Sequence, residues 1–156
     1  MLPATLDLVS AVALAGTSLD AEALRRLHAA GHPDARIGHG YTIQHLVEGP
    51  LPIGEIAERM GVTQQAASKA VAELERVGYA ERGRDPGDAR VRRVALTARG
   101  IDVVETTRAV RAAMERELAA ALGPDRAEEL RRAALDALEW SGGAAAVRGR
   151  RVREPR

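Results

Sequence analysis

The spacing of apolar residues changes period once, at Gly78, and that change constrains the fold more than any other feature of the chain. Before it, the stretches Ile53 to Met60 and Thr63 to Val77 carry apolar residues at three- and four-residue steps, with Gly61 between them. After it, Tyr79-Ala80-Glu81-Arg82 and Arg92-Arg93-Val94-Ala95-Leu96 follow the period of two that a strand needs, with Val94 and Leu96 inward. The run Gly83-Arg84-Asp85-Pro86-Gly87-Asp88-Ala89 is dense in turn formers, so the two strands make a hairpin with a long tip. Helix, glycine turn, helix and hairpin, in that order, form a winged helix-turn-helix. The pattern therefore predicts a mainly α chain with a small β-hairpin wing, an α+β arrangement. Ile56, Ala57, Ala67 and Val71 are the expected contacts between the paired helices.

Helices extend on both sides of this lobe. Leu2, Leu6, Val9, Ala13, Leu24 and Leu27 suggest one long, bent N-terminal helix, stopped by Gly31-His32-Pro33. A second helix runs from about Ile37 to Val47 and ends before Gly49-Pro50. Thr97 caps a long helix to Leu122 with Ile101, Val104, Met114 and Leu118 on one face. Gly123-Pro124-Asp125 opens a last helix, which Leu130, Ala134 and Leu138 carry to Trp140. Past Ser141-Gly142-Gly143 the chain is small residues and Arg, a composition that predicts disorder. The expected divisions are 1–36, 37–100, 101–140 and a basic tail, 141–156.

Composition narrows the chemistry. With no Cys, the chain has no disulfide, thiolate metal site or cysteine nucleophile. Tyr41, Tyr79 and Trp140 are its only Phe, Tyr or Trp residues, too few for a platform that stacks exposed bases. Leu8 to Gly16 imitates the apolar core of a secretory signal, yet no Lys or Arg precedes it and Asp7 stands at its start. No apolar stretch approaches the ~20 residues of a membrane helix. A cytoplasmic protein without membrane contact is the expectation.

The net charge of +1 conceals a pattern. Residues 63–99 carry +3 and 148–156 carry +4, whereas 1–62 and 100–147 each carry −3. A polyanion is thus invited to the middle and the tail only. In the middle, Thr63, Gln64, Gln65, Ser68, Lys69 and Arg76 occupy the polar side of the second paired helix. Amides reach adenine, hydroxyls serve either partner, and cations reach guanine or phosphate. In the wing, Asp88 stands two residues before Arg90 and can aim its guanidinium by a charge-assisted pair. A pre-aimed Arg suits a narrow minor groove, whose negative potential is enhanced. The alternative for Asp88 and Arg90 is an ordinary surface ion pair.

These residues together resemble the multiple-antibiotic-resistance regulators, the MarR family, over about Ile37 to Leu138. The resemblance rests on Glu55-Ile56-Ala57, Met60-Gly61-Val62-Thr63, the run from Ser68 to Tyr79, the wing from Arg84 to Arg90, and Leu96-Thr97-Ala98-Arg99-Gly100. It implies dimerisation through the terminal helices, with Arg90 as the minor-groove residue and Asp88 as its partner. Pro52 departs from the family's usual Ser or Thr cap, and Ala89 from a frequent second wing Arg. The resemblance also implies a pocket between the dimer helices and the lobe for a small aromatic or phenolic effector, with His39, Tyr41 and His45 as its polar candidates. The expected function is a homodimeric regulator of double-stranded DNA that reads a pseudo-palindromic site and represses by occlusion. No cofactor is expected. A protein-interaction lobe without DNA binding and a metal-responsive regulator remain as alternatives. His39 and His45, six residues apart, do not share a helical face, which weakens the metal reading. An enzyme is the least supported class: no nucleophile motif, phosphate loop or metal spacing is present.

Overall fold

A computed structural model describes residues 6–84 and 92–148. Its elements are α1 (Leu8–Ala29), α2 (Ile37–Leu46), β1 (Leu51–Pro52), α3 (Ile53–Met60), α4 (Gln64–Arg76), β2 (Ala80–Arg84), β3 (Arg92–Leu96), α5 (Ala98–Leu122), α6 (Pro124–Trp140) and α7 (Gly143–Arg148). This is the winged helix-turn-helix that the change of period predicts.

Local chemistry sets the boundaries. Asp7 caps α1 by accepting the Ser10 N–H at 2.9 Å, and α1 continues unbroken through Gly16-Thr17-Ser18. Gly61 closes α3 in the left-handed region at φ 60°, a conformation that costs other residues more. Thr63 then caps α4 through the Ala66 N–H at 3.2 Å. Thr97 caps α5 through the Gly100 N–H at 3.0 Å and donates its own hydroxyl proton to the Gly78 carbonyl at 2.6 Å. One threonine therefore starts α5 and ties it to the end of the α4 turn.

The core lies where α2, α3, α4 and the sheet meet. Ile56, Ala67, Val71, Leu74 and Tyr79 are fully buried there, with Ala57 and Val94 nearly so. Burying an Ile, Leu or Val side chain contributes about 1.5–3 kcal/mol relative to exposure. All four residues expected to join α3 to α4 belong to this core.

Three features differ from expectation. A third strand, β1, pairs antiparallel with β3 through Leu51 opposite Val94 and Pro52 opposite Arg93, giving the order β1-β3-β2. Pro52 leaves α3 without a side-chain cap, but its fixed φ of −68° serves both strand end and helix start. Within the tail expected to be disordered, Gly143–Arg148 forms α7 instead, and residues 149–156 lie outside the described residues. Its Ala-rich sequence favours helix, and Gly142, at φ 77°, turns it back so that Ala144 is buried. Finally, the expected inward stripes are only half covered. Leu27 is buried and Leu24 partly so, but Val9 is 76% and Ile101 51% exposed. Val103 takes the buried position on α5 instead. Leu2 lies outside the described residues.

Candidate nucleic-acid interface and cleft

The outward face of α4 follows from its buried one. Ala67, Val71 and Leu74 point into the core, so Gln65, Lys69, Ala72 and Arg76 point away from it. Gln65 and Lys69 are exposed, and among the described residues no hydrogen bond or ion pair occupies either. Gln64 is also exposed but lies against α3, its Nε2 within 3.3 Å of the position a Cβ on Gly54 would take. Thr63 spends its Oγ1 on the cap.

Two of the expected contacts are engaged inside the protein. Arg82 of β2 donates through Nη2 to the Ser68 carbonyl at 3.2 Å and to Ser68 Oγ at 3.3 Å. Its Nη1 lies 3.0 Å from Glu75, so one guanidinium spans two turns of α4. Sequence periodicity gives no sign of Arg82, because a contact across fourteen residues between strand and helix leaves no local spacing. Arg76 donates through Nε and Nη2 to Glu73 at 2.8 and 2.9 Å. Those bonds, with Arg36 beyond them, hold the Glu73 carboxyl down to about 2. Asp88 and Arg90 lie outside the described residues. The strand ends that lead toward them carry exposed Arg84 and Arg92, which face each other across the β2–β3 pair.

Behind α4, a cleft of about 320 Å³ opens between α1, α2 and α5. Leu24, Leu27, Ile43 and Val103 give it an apolar wall, and Arg36, Arg108 and Arg111 bring cations to it. Of the three polar candidates, His39 lines the cleft; Tyr41 and His45 do not. The reason is helical phase. His39, Gly40, Ile43, Gln44 and Val47 face the cleft, whereas His45 is buried outside that lining. His39 Nδ1 accepts the Arg36 backbone N–H at 3.3 Å. The proton of the neutral ring therefore sits on Nε2, a buried atom without a hydrogen-bond partner among the described residues, 3.8 Å from Glu73. Burial holds the His39 imidazolium pKa below its ordinary value, against the opposing pull of Glu73.

Beside it, Tyr79 packs on both His32 and His39, at centroid distances of 5.8 and 6.0 Å, with the Arg99 guanidinium 5.4 Å from its own centroid. His32 Nε2 is 3.1 Å from Asp102 but outside hydrogen-bond geometry. Among the described residues no group of three His, Cys, Asp or Glu side chains could hold a metal ion. No described helix is long and apolar enough to cross a membrane.

A capped helix presenting amides and a cation, flanked by a short antiparallel sheet, defines a winged helix-turn-helix protein. The model of the MarR family matches residues 37–91 of the chain. No curated protein matches it. Several solved structures share the fold. The Staphylococcus aureus MepR–DNA complex is 22% identical, with a TM-score of 0.66 over 85% of this chain and 96% of that one. RV1404 from Mycobacterium tuberculosis is 24% identical, with a TM-score of 0.65 over 90% and 97%. MepR bound to ethidium bromide is 22% identical, with a TM-score of 0.61 over 85% and 95%.

Proposed function

We propose that the chain is a sequence-specific, DNA-binding transcriptional regulator that acts as a homodimer. The observation that carries this reading is the outward face of α4, where Gln65 and Lys69 stand exposed above a helix fixed to the core by Ala67, Val71 and Leu74. A protruding helix of that chemistry suits a major groove, with Gln65 for adenine and Lys69 for guanine or phosphate. Thr63, Gln64, Ser68 and Arg76 border it, and Asp88 and Arg90 are assigned to the flanking minor groove. The similarity in fold to MepR in complex with DNA supports this placement.

Dimerisation is proposed from the uncovered apolar residues of the outer helices: Leu8, Val9, Leu130 and Leu135 are each about half exposed or more. A second copy gives these residues a partner and gives the lobe a two-fold mate. Half-sites about one turn of DNA apart then follow, in a pseudo-palindrome. Binding over a promoter represses by occlusion. The cleft behind α4 is the proposed effector site for a small aromatic molecule, supported by its apolar wall and by MepR's binding of ethidium.

Selection of bound duplexes from a random pool, followed by titration at several salt concentrations, tests the reading. A recovered inverted repeat, bound with a steep salt dependence, is the expected result. A lobe that serves protein contact alone enriches no sequence and binds no duplex.

A further inference from the structure

We propose that Glu73 couples the cleft to the DNA-facing side of α4, dividing one carboxylate between Arg76 on the outward face and Arg36 and His39 on the cleft side. The inference rests on the DNA-reading role proposed for α4 and assigns its regulation. Three donors converge on this group. Arg76 holds both oxygens, at 2.8 and 2.9 Å. Oε1 also faces Arg36 Nη1 at 3.4 Å and His39 Nε2 at 3.8 Å. Arg36 and His39 both line the cleft. The carboxylate therefore belongs to the recognition helix while two of its partners belong to the cleft wall.

The sharing is incomplete, and its direction follows from that. The His39 Nε2–H is buried, aimed at Glu73, and still short of a hydrogen bond. Arg76 keeps the carboxylate from closing the gap. When a phosphate draws Arg76 away, Glu73 is released toward Arg36 and His39, and the orphaned donor gains its acceptor. An anion in the cleft does the reverse. It takes Arg36 and His39 for itself, leaves Glu73 wholly to Arg76, and so withdraws a cation from DNA. Because coupling between two ligands is reciprocal, the duplex and a cleft anion oppose each other. The charged and titratable groups facing His39 are Glu73 and Arg76 from α4, Arg36 from the start of α2, and the ring of Tyr79.

The full chain and a duplex recovered by selection provide the test. Arg36→Ala stands in for capture of Arg36 by a cleft anion and is measured alone and together with Glu73→Gln. Arg36→Ala should weaken duplex binding about two- to fivefold more in the wild-type background than beside Glu73→Gln. In parallel, the His39 imidazole titration, followed by NMR, should move upward when wild type is saturated with duplex and stay fixed in Glu73→Gln. Glu73→Asp, which withdraws the carboxylate by one methylene, replaces Glu73→Gln should the latter not fold. An equal loss in both backgrounds, or a His39 titration indifferent to duplex, overturns the coupling and leaves DNA reading intact. A wild-type chain that binds no duplex overturns DNA reading and the coupling together.

Discussion

Gln65 stands exposed on α4, so it can be replaced without disturbing the core, and Arg90 belongs to the wing run outside the described residues. Arg90→Ala should weaken binding and erase any A·T preference at the flanks, because the minor groove is read by width and by A·T against G·C. Gln65→Ala should instead change preference inside the half-site, by about 1–3 kcal/mol if its amide is bidentate to adenine. Selection with each variant beside wild type separates the two effects; an Arg90→Ala protein that binds like wild type at moderate salt refutes the wing assignment. A second residue-scale prediction concerns pH. The folded protein resists protonating His39, whereas the unfolded chain takes that proton near the ordinary value of 6.5. The unfolded state then binds more protons, so stability should fall as pH drops below about 6.5 toward the lowered folded value. Urea unfolding at pH 7.5 and 5.5 should show a larger drop for wild type than for His39→Gln. Glu73 acts lower, its contribution being lost as pH falls from its ordinary 4.5 toward about 2. Residue chemistry on α4 was legible because exposure follows from helical phase. The cleft was less so: His39, Tyr41 and His45 are close in sequence, yet only the phase of α2 against α1 and α5 decides that His39 alone of the three lines the cleft.

Elements were the most legible level, since Gly61, Thr63, Gly78 and Thr97 each punctuate the chain through backbone rules that act over a few residues. β1 was hidden because two residues cannot display alternation, and a proline argues against a strand. α7 was hidden because Ser141-Gly142-Gly143 reads as a breaker, whereas Gly142 works as a turn that folds the next helix onto α6. The stripes on α1 and α5 were legible as stripes, but periodicity marks a face without saying what covers it, and Val9 and Ile101 stay exposed in this chain. Gly100 carries the sharpest prediction at this scale. A Cβ there would lie 1.9 Å from the Tyr79 carbonyl oxygen and 3.2 Å from Leu96 Cβ. The carbonyl is backbone and cannot swing aside, so α5 must move from the wing turn. Gly100→Ala should cost about 3 kcal/mol or prevent folding, read as a lowered urea midpoint, whereas an unchanged midpoint contradicts the close approach.

At the scale of the whole molecule, the exposed apolar residues of α1, α5 and α6 predict a solution mass near twice 16.6 kDa at micromolar concentration. Deleting residues 124–156 should yield monomer or aggregate; a clean monomer that still binds duplex with full affinity contradicts the homodimer. The close seat of Gly100 on Tyr79, together with the Thr97 bond to Gly78, has a mechanical consequence. The lobe is bolted to one end of α5, a helix of 25 residues, about 37 Å long. It is a lever with a rigid joint. A tilt of about 10° at its far end swings the near end by about 6 Å at that length. In the proposed homodimer, two such levers carry the two reading helices, whose separation must match a DNA repeat of about 34 Å. In that proposed dimer, a small change of angle far from α4 detunes both helices from the grooves at once, without unfolding or rebuilding either one.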